Sequence, residues 1–209
     1  MIQMHSEEHP IKTQQKNTLE WEKFHLQNSM DIPLKYHSVL FSQLQGISDT
    51  IQYAKHMARE GHSIILTGSC GTGKTHLAVC LMRMIWAEKY NADRDKTPIY
   101  RSYPDLLAAI KQSWTGNPAD EYTWINRLSN AAVLVLDDLG VGNHTDWSRS
   151  IVYQVIDRRY RDCKQTITTT NLSMDKLSEV IDDRIASRLC DGIIIEMQGR
   201  DWRIPFTMP

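Results

Sequence analysis

Little in this sequence is present in excess, and several things are scarce. Its 209 residues include four cysteines, at 70, 80, 163 and 190, with no Cys-x-x-Cys pair among them. Neither a disulfide framework nor a thiolate zinc centre follows from that spacing, and reduced thiols in a cytoplasmic protein are the simplest account. An excess of one charge is also missing, since 24 Lys and Arg stand against 25 Asp and Glu. So balanced a chain has no global basic field, and any contact with nucleic acid must come from a local patch. Long apolar runs are absent: Ala131–Leu136 is among the longest, far short of a membrane span, so no membrane partner is expected. The opening MIQMHSEEHPIKTQQKN lacks the apolar core of a secretory signal. There is no internal repeat. The length suits one domain with an arm. Residues 1–31 are expected to be an N-terminal arm, with a short amphipathic stretch (Leu19, Trp21, Phe24, Leu26) suited to a partner helix, and residues 32–209 the domain.

What is there alternates. A helical pattern at 48–59 stops at Gly61, followed by a β-branched strand at 63–67 and a helix at 76–87. Further strands are predicted at 98–101, 132–137, 165–170 and 193–197. Helices are predicted at 106–114 and 174–181, with an apolar helical stripe (Ile151, Val152, Val155, Ile156, Tyr160) between the third and fourth strands. Strands apolar on both faces that alternate with helices imply a parallel sheet covered on both sides, a three-layer α/β fold. Ligands of such sheets sit beyond the C-terminal ends of the strands.

Two motifs lie there. Gly68-Ser69-Cys70-Gly71-Thr72-Gly73-Lys74-Thr75 fits G-x-x-x-x-G-K-[ST] completely, between a predicted strand and a predicted helix. Glycines let the backbone turn its N–H groups toward phosphate oxygens, and the helix adds the positive end of its dipole. Lys74 is placed for the β- and γ-phosphates of ATP, and the Thr75 hydroxyl for Mg²⁺. The second motif is the apolar strand Val133-Leu134-Val135-Leu136 ending in Asp137-Asp138. Asp137 suits the Mg²⁺ shell and Asp138 a general base for the attacking water.

Other residues admit two readings. Asn171, closing Thr168-Thr169-Thr170-Asn171, is a γ-phosphate sensor or a helix cap. Arg184 and Arg188 share a helix face; they reach a neighbouring subunit's nucleotide, or pair locally with Asp182, Asp183 or Asp191. Arg158, Arg159, Arg161 and Lys164 meet DNA phosphates or form a solvated helix end. Arg101, Tyr103, Trp114, Tyr122 and Trp124 stack bases or fill the core. Tyr36 and Phe41 flank an adenine or pack a linker onto the domain.

Residues 71–78 (GTGKTHLA), 136–140 (LDDLG), 169–171 (TTN), 183–189 (DRIASRL) and the upstream Ile32-Pro33-Leu34-Lys35-Tyr36 with Phe41 together resemble the DnaC-type helicase loaders. The IstB-type transposition helper ATPases share much of this pattern. The resemblance covers about 32–205 and implies an AAA+ P-loop fold, a five-stranded sheet in the order 5-1-4-3-2. It implies ATP hydrolysis that governs binding to a replicative DnaB-type helicase and single-stranded DNA, with homo-oligomers in the ATP state. Lys74, Thr75, Asp137, Asp138 and Asn171 fall on the family's ATP site. Arg188 falls on its arginine finger, with Arg184 beside it, and Arg203 of Asp201-Trp202-Arg203 on a phosphate-sensing arginine. Two departures stand out. Asp138 replaces the more usual Glu, one methylene longer, which implies slow turnover stimulated by a partner. No helical lid domain is expected after Arg203. A transposition helper, and an adaptor that binds ATP and barely hydrolyses it, are the alternatives.

Overall fold

The computed structural model describes residues 31–90, 96–113, 118–199 and 201–203. The amphipathic stretch at 19–26 and Trp114 lie outside them. After two short 3₁₀ turns, Leu34–Tyr36 and Phe41–Gln43, the elements run α1 (Ser48–Arg59), β1 (Ile64–Thr67), α2 (Lys74–Lys89), β2 (Ile99–Ser102), α3 (Tyr103–Ser113) and α4 (Pro118–Asn130). They continue through β3 (Leu134–Asp137), α5 (Asp146–Arg161), β4 (Thr166–Thr169), α6 (Met174–Val180), α7 (Asp183–Cys190) and β5 (Ile193–Glu196). The strands and helices expected between residues 48 and 197 all appear, within two or three residues. One element was not anticipated: α4. It opens with Pro118, a favoured first helical residue, and its apolar side is only Trp124, Ile125 and Leu128, too thin a stripe to stand out in a polar sequence.

The five strands form one sheet in the order β2-β3-β4-β1-β5, and every pairing is parallel. This is the 5-1-4-3-2 order that the resemblance implies. Alternate side chains feed opposite layers. Leu66, Val135 and Ile167 meet Ala54 of α1 and Leu77, Leu81 and Ile85 of α2. Ile65, Leu134 and Leu136 meet Leu106 of α3, Leu128 of α4, Val152 and Ile156 of α5 and Leu189 of α7. The chain leaves β1 for the far edge of the sheet and later returns to lay β4 against it, so the strand order reverses beside β1. A crevice opens at such a point, beyond the strand C-termini.

The other end of the sheet is closed by an arginine. Arg159 of α5 is 1% exposed. Its Nε donates to Thr166 Oγ1 at 2.9 Å, Nη1 to the carbonyls of Leu128 at 2.9 Å and Ala131 at 2.8 Å, and Nη2 to Gln165 O at 2.6 Å. These acceptors belong to the end of α4 and the loops entering β3 and β4, so one guanidinium ties three segments. Burial pulls its pKa down to about 9, which leaves it charged at neutral pH. The basic run therefore does not present Arg159 to DNA. Its neighbours are engaged as well: Arg161 pairs with Asp157 at 3.0 Å, and Lys164 with Asp162 at 3.2 Å. Of the aromatic residues, Tyr103 is fully buried, while Tyr122 is exposed. The guanidinium carbons of Arg101 and Arg127 lie 5.3 and 5.5 Å from the Trp124 ring centroid. Both arginines also pair with Asp31.

Arg159→Met should keep most of the packing while stranding these buried acceptors. The expected loss is about 3 kcal/mol of unfolding free energy, read as a lower urea midpoint with an unchanged slope.

Candidate nucleotide site

The loop 68–73 turns from β1 into α2. Gly73 has φ +94°, and a Cβ there would lie 2.8 Å from Leu44 Cδ2. Gly71 has φ +77°, and a Cβ on it would run into the Asp201 carboxylate. Both positions favour glycine for their positive φ, while the crowding comes from side-chain ends that can shift. Helix α2 begins at Lys74, and its first helical bond runs from Leu77 N to Gly73 O at 2.9 Å. The amides of Lys74, Thr75 and His76 thus have no carbonyl within the helix to donate to, as at any helix start. They make an electropositive end at the mouth of the crevice.

Lys74 is folded over the loop, its Nζ donating to Gly68 O at 2.8 Å and Ser69 O at 2.6 Å. Burial lowers its pKa, opposed by the nearby Cys70, Asp138 and Asp137. Thr75 Oγ1 donates to Asp137 Oδ1 at 2.9 Å, joining the first motif to the second. Asp137 is 3% exposed. It also accepts from Tyr100 Oη at 2.6 Å and from Thr169 Oγ1 at 2.6 Å. Burial, and then the Asp137 charge, push the Tyr100 phenol well above its ordinary pKa, so it remains a donor. Asp138 takes a left-handed conformation, φ +53°, which Asp tolerates better than most residues. Its N–H donates to Thr169 Oγ1 at 2.9 Å. Burial first, and Asp137 second, raise the Asp138 pKa, with Lys74 and Arg203 opposing.

Asp138, Lys74, Thr75, Asn171 and Arg203 line one cleft of roughly 460 Å³, with Tyr36 and Trp202 at its rim. A second hollow of about 430 Å³ shares Lys35, Gly73, His76 and Trp202 with it and continues past Val39 and Leu44. Asn171 does not cap α6, because Ser173 does, accepting from Lys176 N at 3.4 Å. Arg203 is folded back on Asp201, Nε to Oδ1 at 3.0 Å, and Trp202 N donates to Gly71 O at 3.1 Å. Phe41 is not in the cleft; Lys55 lies 5.1 Å over its ring.

The two remaining arginines stand elsewhere. Arg184 pairs with Asp182 at 2.9 Å, one of the local partners expected. Arg188 pairs instead with Asp157 of α5 at 2.7 Å. Their guanidinium carbons lie 4.5 and 5.0 Å from the Tyr153 ring centroid. Neither lines the cleft of its own chain.

The donor set suits a triphosphate with Mg²⁺. Among the described residues no group of three or more His, Cys, Asp or Glu could hold a metal. A cation held by one hydroxyl and one carboxylate needs the ligand's own oxygens, which is the usual situation of Mg²⁺ on a nucleotide. Thr75 and Asp137 would supply the protein ligands, and the loop amides with Lys74 the phosphate contacts. Tyr100 was not singled out from the sequence, and Thr169 appeared there only within the 169–171 motif, with no role of its own. The available signal was two polar residues on strands next to Asp137, at positions whose side chains share its face.

A parallel three-layer sheet with this loop and this carboxylate defines a P-loop nucleotide-binding protein. Comparison narrows the class. The sequence profile of the IstB-like ATP binding protein family matches residues 35–198, and the chain belongs to that family. The replicative helicase loader DnaC of Escherichia coli K12 is 27% identical over 147 residues, which cover 70% of this chain and 58% of DnaC. The chain thus aligns with somewhat over half the length of that relative. The crystal structure of the DnaC helicase loader superposes with a TM-score of 0.60 at 28% identity, covering 79% of this chain and 95% of that one. DnaI superposes at 0.65, covering 82% and 94% at 23% identity, and AMPPCP-bound DnaA from Aquifex aeolicus at 0.62, covering 78% and 49% at 22%. These last two speak to the fold. No helix among the described residues is long and apolar enough to cross a membrane.

Asp138→Asn tests the electrostatics of the cleft without ligand. Because the folded state raises the Asp138 pKa, ionisation there costs stability above the ordinary carboxylate range. The variant should melt a few degrees higher than the parent at pH 7. That gap should shrink as pH falls and both proteins become neutral at this position, followed by circular dichroism.

Proposed function

We propose that this protein is an ATP-driven switch of the helicase-loader kind. It binds ATP with Mg²⁺ in the cleft and hydrolyses it slowly, and the cycle controls its assembly with a replicative DnaB-type helicase and single-stranded DNA. The observation that carries the reading is the Thr75–Asp137 contact beneath a complete phosphate loop, in a chain similar to DnaC. Lys74 and the first amides of α2 bind the β- and γ-phosphates. Bound magnesium supplies charge neutralisation, and the protein supplies mostly position. Asp138 accepts the proton of the attacking water, and its raised pKa brings it nearer the range useful for a base. Its short side chain holds that water less firmly than Glu would, which suits a slow switch better than a motor. Asn171 senses the γ-phosphate, and Arg203 leaves Asp201 for it. Arg188, with Arg184 beside it, completes the site of a neighbouring subunit, so that nucleotide holds subunits together and hydrolysis loosens them.

A second reading rests on the resemblance to the IstB-type transposition helpers: a helper that assembles on DNA and directs a transposase, using the same ATP site. Capture with a DnaB-type helicase or with a transposase, ATP present, separates the two. An adaptor without turnover would show no hydrolysis with or without single-stranded DNA.

Lys74→Ala should weaken ATP binding by about 10- to 100-fold, the scale of lost charge-assisted hydrogen bonds, measured by calorimetry. If arginines act across the interface, an Arg188→Ala chain and a Lys74→Ala chain should each be inactive alone and regain part of the ATPase rate when mixed. No recovery on mixing would remove the trans arginine from the scheme.

A further inference from the structure

Two hydroxyls outside the phosphate loop converge on one carboxylate, and the sheet explains how. β2 pairs β3 with Tyr100 beside Val135 and Ser102 beside Asp137. Tyr100, two residues before Ser102, shares its face, and its long side chain reaches diagonally to Asp137 Oδ2. On the other side, β3 pairs β4 with Leu136 beside Thr168. The next pair in that register is Asp137 and Thr169, and Thr169 Oγ1 meets Oδ1. Both contacts lie on the face covered by α2, the helix that brings Thr75. Both hydroxyls donate to the carboxylate oxygens. Thr169 then has a lone pair left for the N–H of Asp138, at 2.9 Å.

This arrangement costs something that packing alone does not require. Tyr100 is 4% exposed and sits among apolar side chains, where Phe would fill the same space without burying a hydroxyl. A buried phenol is retained against a partner. Thr169 is fully buried, where Val would pack equally well. Each hydroxyl spends its hydrogen on the carboxylate that Thr75 also touches.

We propose that Tyr100 and Thr169 are positioning residues for the magnesium-binding carboxylate, clamping Asp137 from both sides so that it and Thr75 form a ligand pair before the cation arrives. This rests on the reading of the cleft as a Mg²⁺–ATP site. Thr75 would offer an oxygen lone pair to the cation while still donating its hydrogen to Asp137. Tyr100 and Thr169 would not touch the metal; they remove the freedom of the carboxylate to rotate. Hydrogen bonds of this sort, one shell out from a ligand, typically change metal affinity by 10- to 100-fold when removed.

The test uses the full chain and a fluorescent ATP analogue, titrated first in EDTA and then with increasing Mg²⁺. Tyr100→Phe and Thr169→Val should bind the analogue in EDTA within about twofold of the parent. Each should need roughly tenfold more Mg²⁺ for half of the metal-dependent gain in affinity. Thr169→Ser, which keeps both hydrogen bonds, should behave as the parent. A parental Mg²⁺ dependence in Tyr100→Phe overturns the proposal, as does an equal loss of binding in EDTA, which would mean general damage to the cleft. If Tyr100→Phe does not fold, the Thr169→Val and Thr169→Ser pair decides by the same criterion. If the parent itself binds no nucleotide, the Mg²⁺–ATP reading fails; if the parent shows a Mg²⁺-dependent gain that the variants share, only the clamp fails.

Discussion

At 3% exposure, water barely reaches the Asp137 carboxylate, so the protein must supply its hydrogen bonds. It does so with three hydroxyls from three elements: Thr75 at the start of α2, Tyr100 on β2 and Thr169 on β4. Each can arrive only if the architecture is right. β3 must lie between β2 and β4, the registers must set Ser102 and Thr169 level with Asp137, and α2 must cover this face of the sheet. A slip of one residue would turn the side chains of a strand to the other layer. The order β2-β3-β4-β1-β5 is therefore more than a scaffold for the phosphate loop. It brings the helix start that follows the β1 loop into contact with the carboxylate on β3 through Thr75, although β4 lies between the two strands in the sheet.

β4 is an unusual strand for that position. Thr-Ile-Thr-Thr is fully buried, and a run of threonines in an interior brings hydroxyls that need partners. Most have one: Thr166 accepts from Arg159, Thr169 donates to Asp137, and Thr170, just past the strand, donates to Leu139 O at 2.7 Å. Thr168 Oγ1 is the exception. Polar contacts thus hold both ends of the central strand. At one end a buried guanidinium gathers carbonyls, and at the other a buried carboxylate gathers hydroxyls. The apolar layers supply most of the folding free energy, as burial does in general, while these two centres fix how the strands sit against one another. Unsatisfied, either would be strongly unfavourable, which makes misregistered alternatives costly.

The architecture was largely legible in the sequence, because strands such as Ile64–Thr67 and Leu134–Asp137 are largely apolar runs that lead straight into motif residues. The phosphate loop and the Asp137–Asp138 pair announce their chemistry by residue type and spacing. Three things were not legible, for physical reasons. Helix α4 buries a narrow stripe, Trp124, Ile125 and Leu128, and rests on neighbours that only the tertiary fold provides. Arg159 looks like its exposed neighbours in a basic run, since a local charge pattern does not report which face of α5 lies under the sheet edge. Tyr100 and Thr169 are 37 and 32 residues from Asp137 in sequence, and only the pairing of strands places them beside it. The arginines were ambiguous for a related reason. The i, i+4 spacing puts Arg184 and Arg188 on one face, but Asp157, which pairs with Arg188, and Tyr153, whose ring lies against both, come from another helix, while Arg184 pairs with its sequence neighbour Asp182.

Those partners bear on which arginine can serve a neighbour. Arg184 is 65% exposed and pairs with Asp182 only two residues away. Such a surface pair is screened by water and worth little, so Arg184 can leave it for a phosphate at small cost. Arg188 is 25% exposed, and Asp157 only 15%. Breaking a pair so far withdrawn from water costs more, and Arg188 also donates to Tyr153 Oη at 3.2 Å and to Arg184 O at 3.0 Å. A residue held this way is poorly suited to swinging out and well suited to being presented in place. The Tyr153 ring sits against both guanidinium groups, so moving one changes the support of the other. In the proposed assembly, Arg188 would act as the fixed member, oriented by Asp157 before any neighbour docks, and Arg184 as the mobile one. Preorganisation favours the fixed member for stabilising transition-state charge, because little ordering remains to be done once the subunits meet.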